Sequence, residues 1–189
     1  SMEEKKIIID GHEAVDLGLS VKWATCNIGA IKPEEYGDYF AWGETEPKEE
    51  YLTRNYPHLY YDENNYINFK DIGKDISKSQ YDAANIKWGN NWRMPTFDEL
   101  SDLMFECKWE WIENNDCVGY RVIGPNGNSI FLPAAGYRND SSLSKAGSNG
   151  GYWSSSLDAV NSYYAYVLYL DSSGVGWSYS NRFYGRSVR

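Results

Sequence analysis

The most restrictive feature of this chain is its last quarter, Gly151 to Arg189, where short runs of alternating residues are cut apart by turns of small ones. A period of two is the mark of a strand, and Gly, Ser, Asn and Asp clusters between such runs are turn signals. About four strands are expected between Tyr152 and Val188. In Ala165 to Leu170, residues Tyr166, Leu168 and Leu170 share one face and Val167 and Tyr169 the other. The leucine-bearing face is expected to point at the core. Val175 and Trp177 are expected to face inward as well, with Gly174, Gly176 and Ser178 outward.

The outward residues of this quarter are Tyr, Ser, Asn, Asp, Gly and Trp, with little charge. Tyr and Trp give stiff, amphipathic contact area, while Ser, Gly and Asn adapt their hydrogen bonds, which is the chemistry of a recognition surface. The plainer alternative is a twisted sheet that is rich in tyrosine because tyrosine forms strands well. The candidate ligand-binding set is Val167, Tyr169, Gly176, Trp177, Ser178, Tyr179, Ser180, Asn181, Arg182, Phe183 and Tyr184. Binding energy is expected to concentrate in Tyr169, Trp177, Tyr179, Phe183 and Tyr184. Arg182 is placed on this surface, whereas Arg186 and Arg189 are expected to be structural.

The sharpest local signal lies upstream. Thr96 and Glu99 make a T-x-x-E capping box, and Leu100, Leu103, Met104 and Cys107 recur at helical spacing, so a helix begins at Thr96. Another short helix is expected over Ser79 to Ile86, and one helical turn at Pro33 to Tyr36. Val21 to Thr25, Asp38 to Trp42 and Cys107 to Ile112 read as strands. Cys117 to Ile123 and Ser129 to Pro133 read as a hairpin turning at Gly124 to Asn128, whose Asn126-Gly127 pair suits positive φ. Glu44 to Lys78 lacks periodicity and is expected to be a long loop, and Asn139 to Gly151 another. Residues 1–12 are expected to be an arm or linker in which Ile7 to Ile9 could be an edge strand, and 13–189 a single domain. Trp23, Trp42, Trp92, Trp109 and Trp111 are expected in the core or its rim.

A net charge of -9 repels phosphate backbones and anionic lipid, which argues against nucleic-acid or membrane-surface binding. No apolar run is long enough to cross a bilayer. Cys26, Cys107 and Cys117 form no C-x-x-C pair; one disulfide with one free thiol and three reduced thiols are both allowed. Ser1 before Met2 reads as a cloning remnant, so the lack of an export signal at this start does not argue for the cytoplasm. No cofactor is expected, with calcium the one metal left open: Asp158, Asn161 and Asp171 offer oxygens, although Asp171 to Gly174 reads more simply as a turn. Ser154 to Ser156 have no histidine after His58 to serve as a base, so catalysis is not expected.

Several segments occur in a characteristic order: DLGLSVKWATCNIGA (Asp16 to Ala30), EYGDYFAWGET (Glu35 to Thr45), WRMPTFDEL (Trp92 to Leu100), GPNGNSIFLPAAGYR (Gly124 to Arg138), YWSSS (Tyr152 to Ser156) and GRSVR (Gly185 to Arg189). In these the chain resembles the Fibrobacter succinogenes major paralogous domain family, abundant in surface and secreted proteins of gut Bacteroidetes. The resemblance implies an α+β, C-type lectin-like fold of the branch related to formylglycine-generating enzymes. In that fold one or two helices pack on short twisted antiparallel strands, with a long irregular insertion. The catalytic cysteine pair of those enzymes has no counterpart, because no cysteine lies between Val118 and Arg189. Lectin-like domains of this branch are also similar to the variable proteins of diversity-generating retroelements. Val167, Tyr169, Gly174, Gly176, Ser178, Tyr179, Ser180, Asn181, Phe183 and Tyr184 are all reachable from an AAC codon by adenine changes.

These readings converge on a secreted or cell-surface, non-catalytic module that binds a protein or glycan through its C-terminal strands and loops. The alternative is a structural module of a surface assembly; an enzyme related to the formylglycine-generating enzymes comes third. Ligand, oligomeric state and genetic diversification stay open.

Overall fold

The computed structural model describes residues 6–189; the first five residues of the expected arm lie outside them. Their neighbours form a hairpin of β1 (Ile7–Ile9) and β2 (His12–Val15), which turns at Asp10 and Gly11, both at positive φ. Strand β3 (Trp23–Ala24) completes this sheet. Ile7 and Ile9 pack on the main core, and the Trp92 indole donates to the Ile9 carbonyl at 2.8 Å. A second hairpin joins β4 (Leu59–Tyr61) to β5 (Ile67–Phe69). Two helices follow, α1 (Ala83–Trp88) and α2 (Phe97–Glu106). The meander β6 (Lys108–Glu113), β7 (Val118–Ile123) and β8 (Ser129–Pro133) comes next, then the small hairpin β9 (Tyr137–Asn139) and β10 (Ser142–Ser144). A last meander links β11 (Asn149–Leu157), β12 (Tyr164–Asp171) and β13 (Gly174–Asn181).

This architecture overturns the expected α+β, C-type lectin-like fold. The chain is mostly β, in five small antiparallel sheets, and its helices are only 6 and 10 residues long. The physical reason is that one segment alone sustains an apolar helical stripe for more than two turns. That segment is α2, where Leu100, Leu103 and Met104 are buried. Its start is as the capping box dictates: the Thr96 hydroxyl accepts from the Glu99 N–H at 3.3 Å and Glu99 accepts from the Thr96 N–H at 2.8 Å. Arg93 grips the same carboxylate through both terminal amines.

The β11–β13 sheet is the centre of the molecule because both faces of β11 and β12 are largely covered. On one side Trp153, Ala165 and Val167 join Phe40, Trp42, Met94 and Val188. On the other, Tyr152, Leu168 and Leu170 join Leu100, Leu103, Val122 and Leu132. Full burial of each such side chain is worth about 1.5–3 kcal/mol. The expectation of one core face for Ala165 to Leu170 therefore fails, since a central strand covered on both sides carries apolar residues at both parities.

Other boundaries shift for identifiable reasons. Asp38 to Trp42 makes only an isolated bridge, Phe40 to Arg186, because Gly37 and Gly43 turn the chain at positive φ on either side. Its Tyr39 hydroxyl donates to the Ala135 carbonyl at 2.5 Å, and the Trp42 indole to Ser154 O at 2.9 Å. Strand structure in Val21 to Thr25 is limited to β3. The expected loops at 44–78 and 139–151 contain the β4–β5 hairpin and β10. Three long strands, not four, close the chain; Gly185 to Arg189 instead threads back through single bridges to Arg138, Phe40 and Tyr152. In the Gly124 to Asn128 turn, Gly127 alone takes positive φ, and the Asn126 and Asn128 amides both donate to Asp16 O. Cys26, Cys107 and Cys117 are unpaired.

Candidate functional site

Strand register decides where the sequence-derived site residues go. Tyr166 lies opposite Tyr179, Leu168 opposite Trp177 and Leu170 opposite Val175, so these six share a face with Tyr152 of β11. Helix α2 packs over Leu168 and Leu170, and Val175 packs at the edge of that core. Beyond the helix the face is open. Trp177 and Tyr179 are each 54% exposed, and this corrects the expectation that Trp177 faces inward. Its parity was read properly, but β13 is an edge strand, and the α2 residue that lies against Trp177 is Phe97, edge-on at 6.0 Å.

The open part is a band of five rings. Phe97 lies 4.7 Å from Tyr166 and 6.0 Å from Trp177; Tyr166 and Trp177 are 5.9 Å apart, and Tyr164 and Tyr179 4.9 Å. Edge-on and tilted pairs at these distances hold each other's orientation. No charged side chain projects from β12 or β13 on this face. Tyr163, just before β12, is 42% exposed; its hydroxyl donates to Ile67 O and its ring lies 4.8 Å from Phe69.

The opposite face carries Tyr169, Gly176, Ser178 and Ser180. Gly151, Tyr169 and Gly176 stand side by side across the three strands. Tyr169 is half-buried and donates to Asp171 Oδ2 at 3.1 Å. Burial, and then the neighbouring Asp171 carboxylate, push its phenol above the usual range. A Cβ at Gly176 would meet nothing within 4 Å, so the surface beside Tyr169 is open.

Three members of the set are not surface residues. Val167 is 2% exposed, in the core between Trp153 and Ala165. Ser180 is 3% exposed and accepts from Arg186 Nε at 3.0 Å. Arg182 is 1% exposed: its guanidinium lies 5.0 Å from the Trp42 ring and donates to Tyr56 Oη, Ser162 O and Lys70 O at 3.3, 3.0 and 2.9 Å. It ties the irregular amino-terminal half to the last sheet, which a polar residue just after a strand does not advertise in sequence. Asn181 is half-buried at the end of β13 opposite Tyr164; Phe183 is half-buried against Tyr39, Tyr51 and Tyr56; Tyr184 stacks on Tyr137 at 5.8 Å. The set thus divides between two faces and the interior. Sequence reasoning missed Phe97, Tyr164, Tyr166 and Tyr137, whose roles depend on strand pairing and helix docking.

The oxygens considered for calcium are engaged in turns: Asp171 Oδ1 accepts from Ser173 N, Asp158 Oδ1 from Val160 N and Asn161 Oδ1 from Tyr163 N. The Ser154 hydroxyl donates to Tyr166 O and that of Ser156 accepts from Phe97 N. His58 is bonded to Gly43 O and packed edge-on to Tyr56 and Tyr81, and burial holds its imidazole below the usual range.

Comparison with known proteins gives one family match: the model of a domain of unknown function, DUF8237, matches residues 107–189, from the end of α2 to the last residue and so including β11–β13. No curated protein and no solved structure matches the chain.

Proposed function

We propose that this protein is a non-catalytic binding module that recognises a protein or glycan through the ring band on the outer face of β13. The observation that carries the reading is the 54% exposure of both Trp177 and Tyr179 on a strand whose neighbours are core. Leaving about half of each of two large rings in water forgoes part of a burial worth about 1.5–3 kcal/mol per ring when complete, and rigid aromatic anchors with few rotamers are what hot spots are made of. The resemblance of the segments between Asp16 and Arg189 to a family of surface and secreted proteins supports an exported location. Tyr169, Gly174, Gly176, Ser178, Tyr179, Asn181, Phe183 and Tyr184 are the positions at which programmed variation would change a solvent-reachable surface. A near-identical downstream repeat in the encoding DNA, differing at adenines, is the test of that part.

The binding test is a double variant, Trp177→Ala with Tyr179→Ala, run beside the parent chain on a glycan and protein array. The fold should survive, as read by near-ultraviolet circular dichroism, and capture of the array ligand should fall at least tenfold. Unchanged capture would sink the reading. A second reading is favoured by one observation: β13 is the edge of its sheet, and an uncovered edge can accept a strand from a neighbouring subunit. In that case light scattering should show a concentration-dependent oligomer that Ser178→Pro abolishes.

A further inference from the structure

The last three arginines of the chain are treated very differently by the fold. Arg182 and Arg189 use every nitrogen: Arg189 donates to Asn27 Oδ1, Ala24 O and Phe131 O at 2.8, 3.1 and 2.7 Å, and Arg182 is satisfied in the same manner. Arg186 donates only from Nε, to Ser180, and its two terminal amines find no acceptor among the described residues. No carboxylate among the described residues pairs with it. Its backbone is fixed by reciprocal bonds with Phe40, at 2.9 and 3.0 Å, and its side chain is held by the Nε bond to Ser180 and by the Tyr137 ring. It lies across Gly151, where a Cβ would come within 2.6 Å of Nη1, and its guanidinium sits 4.7 Å from the centre of the Tyr137 ring. The tyrosines around it are Tyr137, Tyr169 and Tyr184. Burial pulls its guanidinium down to about 10, which still leaves it charged at neutral pH.

The two free terminal amines are not among the buried unpaired atoms, so the planar fork of this half-buried cation faces solvent and is open to an incoming partner. The fork matches a carboxylate in bidentate geometry. Beside it Gly176 leaves open space, and Ser178 lies on the same face. The surroundings are thus one cation, three phenol rings and a hydroxyl, with the Asp171 carboxylate at the rim, held on the Tyr169 hydroxyl at 3.1 Å. A phosphate dianion is ordinarily met by several cations or a helix N-terminus, and neither is present here. A singly charged, polyhydroxylated ring fits better: its carboxylate on Arg186, its C–H face on a tyrosine, its hydroxyls to Ser178 and the phenols.

We propose that Arg186, with Tyr137, Tyr169, Tyr184 and the open floor at Gly176, forms a subsite for an acidic sugar residue of the hexuronate type. This site lies on the face of β13 opposite the ring band and does not rest on the function proposed for that band.

The test titrates the isotope-labelled full chain with sodium D-glucuronate, with D-glucose at matched sodium chloride, and with N-acetyl-Ala-Ala as a peptide carboxylate, following the Gly151 and Gly176 amide signals. Glucuronate should move both signals saturably, with a Kd at least tenfold below that of glucose and below that of the peptide. Gly176→Val fills the floor without touching Arg186, at a position with room for a side chain, and should weaken glucuronate at least tenfold. Arg186→Lys keeps the charge but removes the fork and should also weaken it. Equal binding of glucose, tighter binding of the peptide, or an unchanged glucuronate Kd in either folded variant overturns the proposal.

Discussion

The two halves of this molecule are built by different means. Between residues 25 and 80 there is little regular structure, and the chain is held by buried side chains that bond to distant backbone. Tyr39 reaches Ala135 O, Tyr51 reaches Tyr39 O, Tyr56 reaches Trp42 O, and Arg182 reaches Lys70 O. From Lys108 onward the backbone bonds mainly to itself, in two meanders and a hairpin. An irregular segment must still satisfy its buried polar groups, and here phenols, indoles and the guanidiniums of Arg182 and Arg189 do what a ladder does elsewhere. The consequence is that the first half should depend on single side chains, while the second should tolerate many substitutions at its surface.

Arg182→Met is the largest expected break in that comparison. The change leaves Ser162 O, Lys70 O and the Tyr56 hydroxyl without their buried donor, and each orphaned group costs about 1–3 kcal/mol. Relief from burying a cation recovers part of this, so a net loss of about 3 kcal/mol is expected in urea denaturation. Arg121→Met on β7, whose side chain is 51% exposed in a loose 3.9 Å pair with Glu110, should cost about 0.5 kcal/mol or less. Similar losses for the two would mean that the halves are not held differently.

A middle-sized effect comes from the junction between the halves. Burial alone would raise the Glu99 carboxyl, but the bonds from Arg93 and Thr96 outweigh it and hold the group below the usual glutamate range. The unfolded chain therefore binds the proton first as pH falls. Stability supplied by this group is complete above the unfolded value, about 4.3, and is lost as pH falls through the folded one. Stability measured between pH 6 and pH 3 should fall less steeply in Glu99→Gln than in the parent, and the variant should already be weaker at pH 6. Parallel curves would show that the cap and ion pair contribute nothing.

How much of this was legible in the sequence follows the same division. Helix α2 was readable to its first residue because a capping box is a local device: Thr96, Glu99 and the stripe behind them lie within one short window. The β7–β8 hairpin was readable for the same reason. The α+β lectin-like frame was not sustained, because packing does not lengthen the helices and the strands before and after them gather into five separate sheets. Val167 was misplaced because alternation says which residues share a face, not whether the second face is also covered. Arg182 was misplaced because its partners, Tyr56, Ser162 and Lys70, come from both halves of the chain and meet only in the fold. Gly176 was assigned outward and lies in open space, whereas the niche beside it depends on Arg186 crossing Gly151, which no spacing announces.

The smallest expected effect bears on the ring band. Trp177 touches Phe97 and Tyr166 only edge-on and keeps 54% of its surface in water. It sits on an edge strand, so its loss opens no cavity. Trp177→Thr keeps β propensity and should change stability by about 1 kcal/mol or less, measured by thermal unfolding. Trp153→Phe, by contrast, removes the indole donor to Phe40 O at 2.6 Å from the middle of the same sheet and should cost clearly more. If Trp177→Thr proves as damaging as Trp153→Phe, the exposed rings belong to the scaffold, and the argument that they are held in reserve for a ligand loses its physical basis.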